Sequence, residues 1–166
     1  NLVAKDYPVT QKGLNKNFNN PFSLSTEEYL ASLKITAGST YNLLHQITKL
    51  NFYKIDIILI SSIYEKKLPD PYLYSYKDIK IFKPIAYSSG KAAQSPLLKQ
   101  AAKFLGERGG RCNCISFGGI RGNQEINFVK KYSQKTPQGK MIEMEEVIKM
   151  ILWLFIDSPY SINGEN

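Results

Sequence analysis

Hydrophobic and polar positions along the chain follow two different periods. From about Thr26 to Lys49 the spacing is helical, with Tyr41, Leu44, Ile47 and Thr48 on one stripe. Ser25 stands at the cap and Glu28 at the capping-box position, while Gly38 interrupts the helix and marks a place of close packing. Lys54-Ile55-Asp56-Ile57-Ile58-Leu59-Ile60-Ser61-Ser62 is a short buried strand that ends in two hydroxyls. A long run of helix formers follows, from about Ala86 to Glu107, including Leu97, Leu98, Ala101, Ala102 and Leu105. Gly109-Gly110 then turns into a second strand, Arg111 to Ser116, and Phe117-Gly118-Gly119-Ile120 comes directly after it. Strand, loop, helix, turn, strand and glycine-rich loop is the order of a parallel α/β sheet.

The remaining segments are less regular. Lys5 to about Phe22 is polar and asparagine-rich, and reads as a loop. Gly118 to Gly139 reads as a mobile segment able to close over a substrate. A last helix runs from about Met144 to Ile156 after an acidic first turn of Glu143, Glu145 and Glu146, and Asp157-Ser158-Pro159 stops it. Its apolar run, Met150 to Ile156, is far short of the roughly 20 residues that span a membrane and reads as a buried face.

Chemistry enters with Tyr87 and Lys91. A four-residue step on a helix puts both on one face, one turn apart. An ammonium beside a phenol favours the phenolate, and such a tyrosine can exchange a proton with an alcohol. In a chain this rich in Tyr and Lys the spacing also arises by chance, and it does so again at Tyr76 and Lys80. Tyr76 lies among Pro69, Pro71, Tyr72 and Tyr74 without helical periodicity, so it is read as a surface loop residue. Ligands in parallel α/β sheets bind beyond the carboxyl ends of the strands. Ser62, Tyr87 and the pair Gly118 and Gly119 all fall at or near that end.

Composition narrows the classes. The chain has 166 residues, 43% hydrophobic and 12% aromatic, enough for one globular core. A net charge of +8 raises a nucleic-acid reading, but the 19 lysines are dispersed and only three arginines occur. A solvated lysine-rich surface accounts for the charge, with some of it available to steer a phosphorylated substrate or cofactor. Cys112 and Cys114 share one face of a strand, too awkwardly placed for a bridge, and reduced cysteines point to the cytoplasm. His45, the single histidine, reads as a packed core-edge residue. No metal site is expected from this set.

The order Ile-Ser-Ser, Tyr-x-x-x-Lys, Asn-x-Ile-Ser-x-Gly-Gly-Ile resembles the short-chain dehydrogenase/reductases. The resemblance extends to the helix running from Ser25 into Leu44, to Phe128–Tyr132 and Thr136–Met141 as a substrate loop, and to Glu145–Asn166 as the last helix and the turn into a final strand. It implies a Rossmann-like, doubly wound parallel sheet with helices on both faces, incomplete at the N-terminus. The 166 residues then form a single domain, the C-terminal two-thirds of that fold. It implies an NAD(P)-dependent oxidoreductase working on a hydroxyl or carbonyl group, with a sugar among the candidate substrates.

On this resemblance Ser62 polarises the substrate oxygen and Tyr87 is the acid or base. Lys91 lowers the phenol's pKa and holds the nicotinamide ribose. Gly118 and Gly119 let the backbone approach NAD or NADP, and the Ile120 backbone meets the carboxamide. A homodimer or homotetramer paired through the two long helices is implied as well, and neither a nucleic-acid nor a membrane partner.

Departures from the family pattern keep other readings open. No Gly-x-Gly-x-x-Gly turn occurs in the chain, and Asn1-Leu2-Val3-Ala4 resembles only the end of the family's Asn-Asn-Ala-Gly strand. The asparagine that supports the lysine has no clear match, Lys34 standing near its place, and Phe117 replaces the usual proline. The stretch from Glu65 to Lys83 reads as an insertion and resembles a subgroup of bacterial sugar and surface-glycan biosynthesis. A non-catalytic binding or regulatory relative is therefore an alternative, and a basic nucleic-acid-binding module a third.

Overall fold

The computed structural model describes residues 18–75 and 79–166. The strand end read at residues 1–4, most of the asparagine-rich loop and Tyr76 lie outside the described residues.

Helix α1 (Thr26–Thr48) begins at the expected capping box. The Glu28 N–H donates to Ser25 Oγ at 3.2 Å, and the Ser25 N–H donates to Glu28 Oε2 at 3.1 Å, so two otherwise orphaned donors are satisfied. Strand β1 (Asp56–Ser62) and strand β2 (Arg111–Phe117) pair in parallel, in register from Asp56 opposite Arg111 to Ser62 opposite Phe117. Between them the chain passes through a 3-10 turn (Ile63–Glu65), α2 (Pro71–Tyr74), α3 (Ile85–Ala92) and α4 (Gln94–Gly106). After β2 come α5 (Ile126–Ser133) and α6 (Met144–Leu152), and α6 runs into a π-helical turn at Trp153–Asp157.

The core lies between the strands and α4. Leu59, Cys112 and Cys114 of the sheet meet Leu98, Ala101, Ala102 and Leu105 of α4, with Leu44 and Ile47 of α1 packed at the margin. The last residues lie along β2: the Cys114 N–H donates to the Glu165 carbonyl and the Gly164 N–H to the Cys112 carbonyl, both at 2.8 Å. At the opposite end of the strands Arg111, buried, donates through Nε and Nη2 to Asp56 Oδ2 at 3.1 and 3.0 Å, and through Nη1 to Ser158 Oγ at 3.0 Å. One guanidinium thus ties the starts of β1 and β2 to the turn after α6.

Four expectations are corrected. The long helix expected from about Ala86 to Glu107 is two helices, with a break at Ala93. Pro96 is the cause: it has no N–H for the Ala92 carbonyl and its ring would strike that carbonyl, but it is tolerated in the first turn of a new helix. The close approach expected at Gly38 is elsewhere, since a Cβ there would meet nothing nearer than the Leu33 carbonyl at 3.8 Å. It lies at Gly90, where a Cβ would come within 2.7 Å of Thr36 Cβ. His45 is exposed and stacked on Tyr41, with ring centroids 5.9 Å apart. The run Met150–Ile156 buries only Leu154, and Trp153, Phe155 and Ile156 stay exposed among the described residues.

The contact at Gly90 decides the sign of one substitution. Gly→Ala inside a helix ordinarily stabilises by about 1 kcal/mol. Here G90A forces a methyl into Thr36, and we expect a loss of about 1–3 kcal/mol, read from the urea midpoint. A raised midpoint would show that the two helices are not held this closely.

Candidate active site

Helix α3 carries the two residues that the spacing singled out. Tyr87 is half-buried and Lys91 is 5% exposed. The Lys91 ammonium donates to the Ile60 carbonyl at 2.8 Å and lies 6.0 Å from the centroid of the Tyr87 ring. Burial pushes the Lys91 amine below the usual lysine range, and the neighbouring Cys114 and Glu65 oppose that shift. Lys83, just before α3, sits over the Tyr87 ring at 4.5 Å and over Tyr74 at 5.7 Å.

The two serines that end β1 point to opposite faces, as strand alternation requires. Ser61 Oγ donates to Glu65 Oε2 at 2.7 Å, whereas Ser62 Oγ accepts the Tyr64 N–H at 3.2 Å. Tyr64 then stands edge-on to Tyr87, centroids 6.5 Å apart, with its hydroxyl 3.3 Å from that of Tyr74. Burial raises the Tyr64 phenol above its ordinary range. Ser62 is opposite Phe117 in the register, so the glycine pair begins one residue beyond it, and a Cβ on Gly118 would lie 4.0 Å from the Ile63 side chain. Ser62, Tyr87, Lys91 and the Gly118–Ile120 loop are thus gathered at the carboxyl end of two parallel strands.

The open side of the glycine pair faces Tyr132 of α5. The Gly119 N–H donates to the Tyr132 hydroxyl, and a Cβ on Gly119 would come 2.6 Å from the ring. Ile142 bridges to the peptide groups on either side of Ile120, accepting from the Arg121 N–H and donating to the Gly119 carbonyl. In a parallel bridge of this kind Ile120's own N–H faces away from the partner strand.

The segment expected to be mobile is docked through the insertion. Lys131 donates to the Ser75 and Tyr72 carbonyls at 2.7 and 3.2 Å, and Lys135 pairs with Asp70 at 3.3 Å. Tyr74, Phe128 and Tyr132 continue as a row of rings beside Leu73 and Met141. Lys34 is exposed, and the α1 residue that meets the Tyr87 helix is the buried Thr36. Sequence reasoning gave Tyr64, Glu65 and Tyr74 no inward role, because a stretch without periodicity gives no signal of which residues turn inward, and it read Tyr132 only as part of a substrate loop.

Residues 6–166 match the family model described as enoyl-(acyl carrier protein) reductase. The chain belongs to the short-chain dehydrogenase/reductase family. Among solved structures it is similar to a short-chain dehydrogenase from Leptospira borgpetersenii with bound NAD+, at 27% identity and a TM-score of 0.76, covering 89% of this chain and 57% of that one. A 3-oxoacyl-[acyl-carrier protein] reductase from Brucella melitensis with bound NAD is 22% identical, with a TM-score of 0.67 over 86% of this chain and 50% of that one. A Burkholderia cenocepacia short-chain dehydrogenase in complex with NADP is 16% identical, with a TM-score of 0.70 over 86% and 55%. These last two likenesses concern the fold, which is the Rossmann-like parallel α/β fold expected. The chain spans about half the length of these proteins, and no curated protein matches it.

The thiols behind the site provide a check on its burial. Cys112 and Cys114 are both free and buried, and burial pushes them up to about 12 and about 11. Native protein should therefore resist a thiol reagent at pH 8 and release two reactive thiols on unfolding. Because unfolded thiols ionise near pH 8.5, the unfolded state binds fewer protons above that value and stability should fall as pH rises through 9 to 11. Fast labelling of either cysteine in the folded protein would contradict this packing.

Proposed function

We propose that the protein is an NAD(P)-dependent oxidoreductase that transfers a hydride between a nicotinamide cofactor and a hydroxyl or carbonyl carbon of a small molecule. The observation that carries the reading is the buried Lys91 ammonium one helical turn from Tyr87, at the sheet end where β1 stops at Ser62.

The donors present suit the nicotinamide-ribose end of such a cofactor. Lys91 gives one N–H to Ile60, which leaves two of its three for ribose hydroxyls. Tyr87 offers a hydroxyl, and Ile120 a peptide N–H for the carboxamide. The cofactor, when bound, supplies or accepts the hydride. Ser62 already accepts the Tyr64 N–H, so its own proton is free to be donated to the substrate oxygen. Tyr87 passes a proton to that oxygen in reduction and removes it in oxidation. Lys91 favours the phenolate that this exchange creates. The rings of Tyr64, Tyr74 and Phe128 present apolar faces beside hydroxyls, which suits a sugar-derived substrate.

The same reading places the protein in the cytoplasm, as a single domain assembled into a homodimer or homotetramer. Support for assembly comes from α1 and α4, whose outer faces leave Tyr41 and Leu43 exposed and enclose a groove with Leu97 and Phe104. Among the described residues no helix is long and apolar enough to cross a membrane.

Turnover of a panel of carbonyl and alcohol substrates with NAD(H) and NADP(H) tests this function. Y87F should lower kcat about 10²–10⁴-fold with the fold intact by circular dichroism. Near-native activity in Y87F would remove Tyr87 from the reaction, and cofactor binding without any turnover in the native protein would favour a non-catalytic relative.

A further inference from the structure

Behind the site lies a carboxylate that the chemistry above does not use. Glu65 ends the 3-10 turn, and its side chain is only 2% exposed. Its Oε2 accepts from Ser61 Oγ at 2.7 Å and its Oε1 accepts from Asn166 Nδ2 at 2.5 Å, while Asn166 Oδ1 accepts from Ser116 Oγ at 2.8 Å. Ser61 and Ser116 are register partners across β1 and β2. Glu65 and Asn166 therefore bridge the hydroxyls of a matched pair at the carboxyl end of the sheet. Glu65 is bonded to Ser61 and Lys91 to the carbonyl of Ile60, the preceding residue of β1, so carboxylate and ammonium are anchored on adjacent residues of one strand end.

We propose that Glu65 is a positioning residue, the fixed counter-charge that keeps Lys91 protonated where it is buried. Few groups compete for that role. From β2 the neighbour is Cys114, which opposes the Lys91 shift only as its own thiol ionises, at about 11, and is neutral below that. From α3 itself it is the ring of Tyr87, over which Lys83 also sits. The buried residues of α1 are Ser32, Thr36 and Thr40, none of which titrates. Lys66 pairs with Glu65 at 3.4 Å from the solvent side, where water screens it. A buried ammonium without a nearby anion loses its proton more readily, and Glu65 opposes that loss.

The effect of Glu65 on turnover rests on the oxidoreductase reading, but its effect on Lys91 does not, and the two are measured separately. In native protein labelled at lysine 13Cε, the Lys91 resonance, assigned with K91M, is followed against pH. Removing the carboxylate in E65Q should lower the Lys91 midpoint by about one pH unit, while E65D stays near wild type. The alkaline limb of kcat/KM should move in the same direction. If E65Q does not fold, E65M removes the same charge without adding an amide. An unmoved Lys91 midpoint in the folded charge-removing variant overturns the proposal. A moved midpoint with an unmoved rate profile upholds the counter-charge and counts instead against the role given to Lys91 in turnover.

Discussion

The ammonium of Lys91 is bonded to the carbonyl of Ile60, and in this way the helix that carries Tyr87 is tied to the strand that carries Ser62. A charge at 5% exposure costs several kcal/mol in lost hydration unless its surroundings replace the water. A charge-assisted hydrogen bond returns about 1.5–3 kcal/mol of that, and the counter-charge proposed at Glu65 would add to it. The position of the lysine is thus a balance among the sheet end, the turn after β1 and α3. If any of these moved, Tyr87 would move relative to Ser62.

Packing sets the same geometry from the other side. Gly90 lets α3 lie against Thr36 of α1, one residue before Lys91 in the chain. The break at Ala93 lets α4 start in a new direction and lie on the sheet over Cys112 and Cys114. A single unbroken helix would have to serve both contacts along one axis. The Tyr132–Gly119 contact plays the corresponding part on the far side of the site: it fixes the loop after β2 against α5, which the insertion holds through Lys131 and Lys135.

Elements whose signals are local were legible in the sequence. The Ser25–Glu28 cap, the apolar run of β1, the Gly109-Gly110 turn and the Tyr87–Lys91 step each depend on residues within a few positions of one another. The motif order read from these was enough to point to the family. What failed depends on contacts distant in sequence. Gly38 and Gly90 look alike as helical glycines, and only the approach of α1 to α3 separates them. His45 and the apolar run after Lys149 fit a buried stripe by periodicity, yet their faces stay exposed among the described residues. Pro96 did carry a local signal for the helix break, outweighed by the helix formers around it. Glu65 gave none, because its burial depends on Ser61 on one side and on Asn166, a hundred residues away, on the other.

On the proposed function, Lys91 and Tyr87 seat the nicotinamide ribose and the Ile120 peptide receives its carboxamide. A crystal structure of the native protein with NAD(H) or NADP(H) tests it most directly. Ribose hydroxyls are expected within hydrogen-bond distance of Lys91 Nζ and Tyr87 Oη, with the carboxamide on the Ile120 N–H and the ring face turned toward Ser62. A nicotinamide seated away from Lys91, with Ile60 still holding the ammonium, would contradict it.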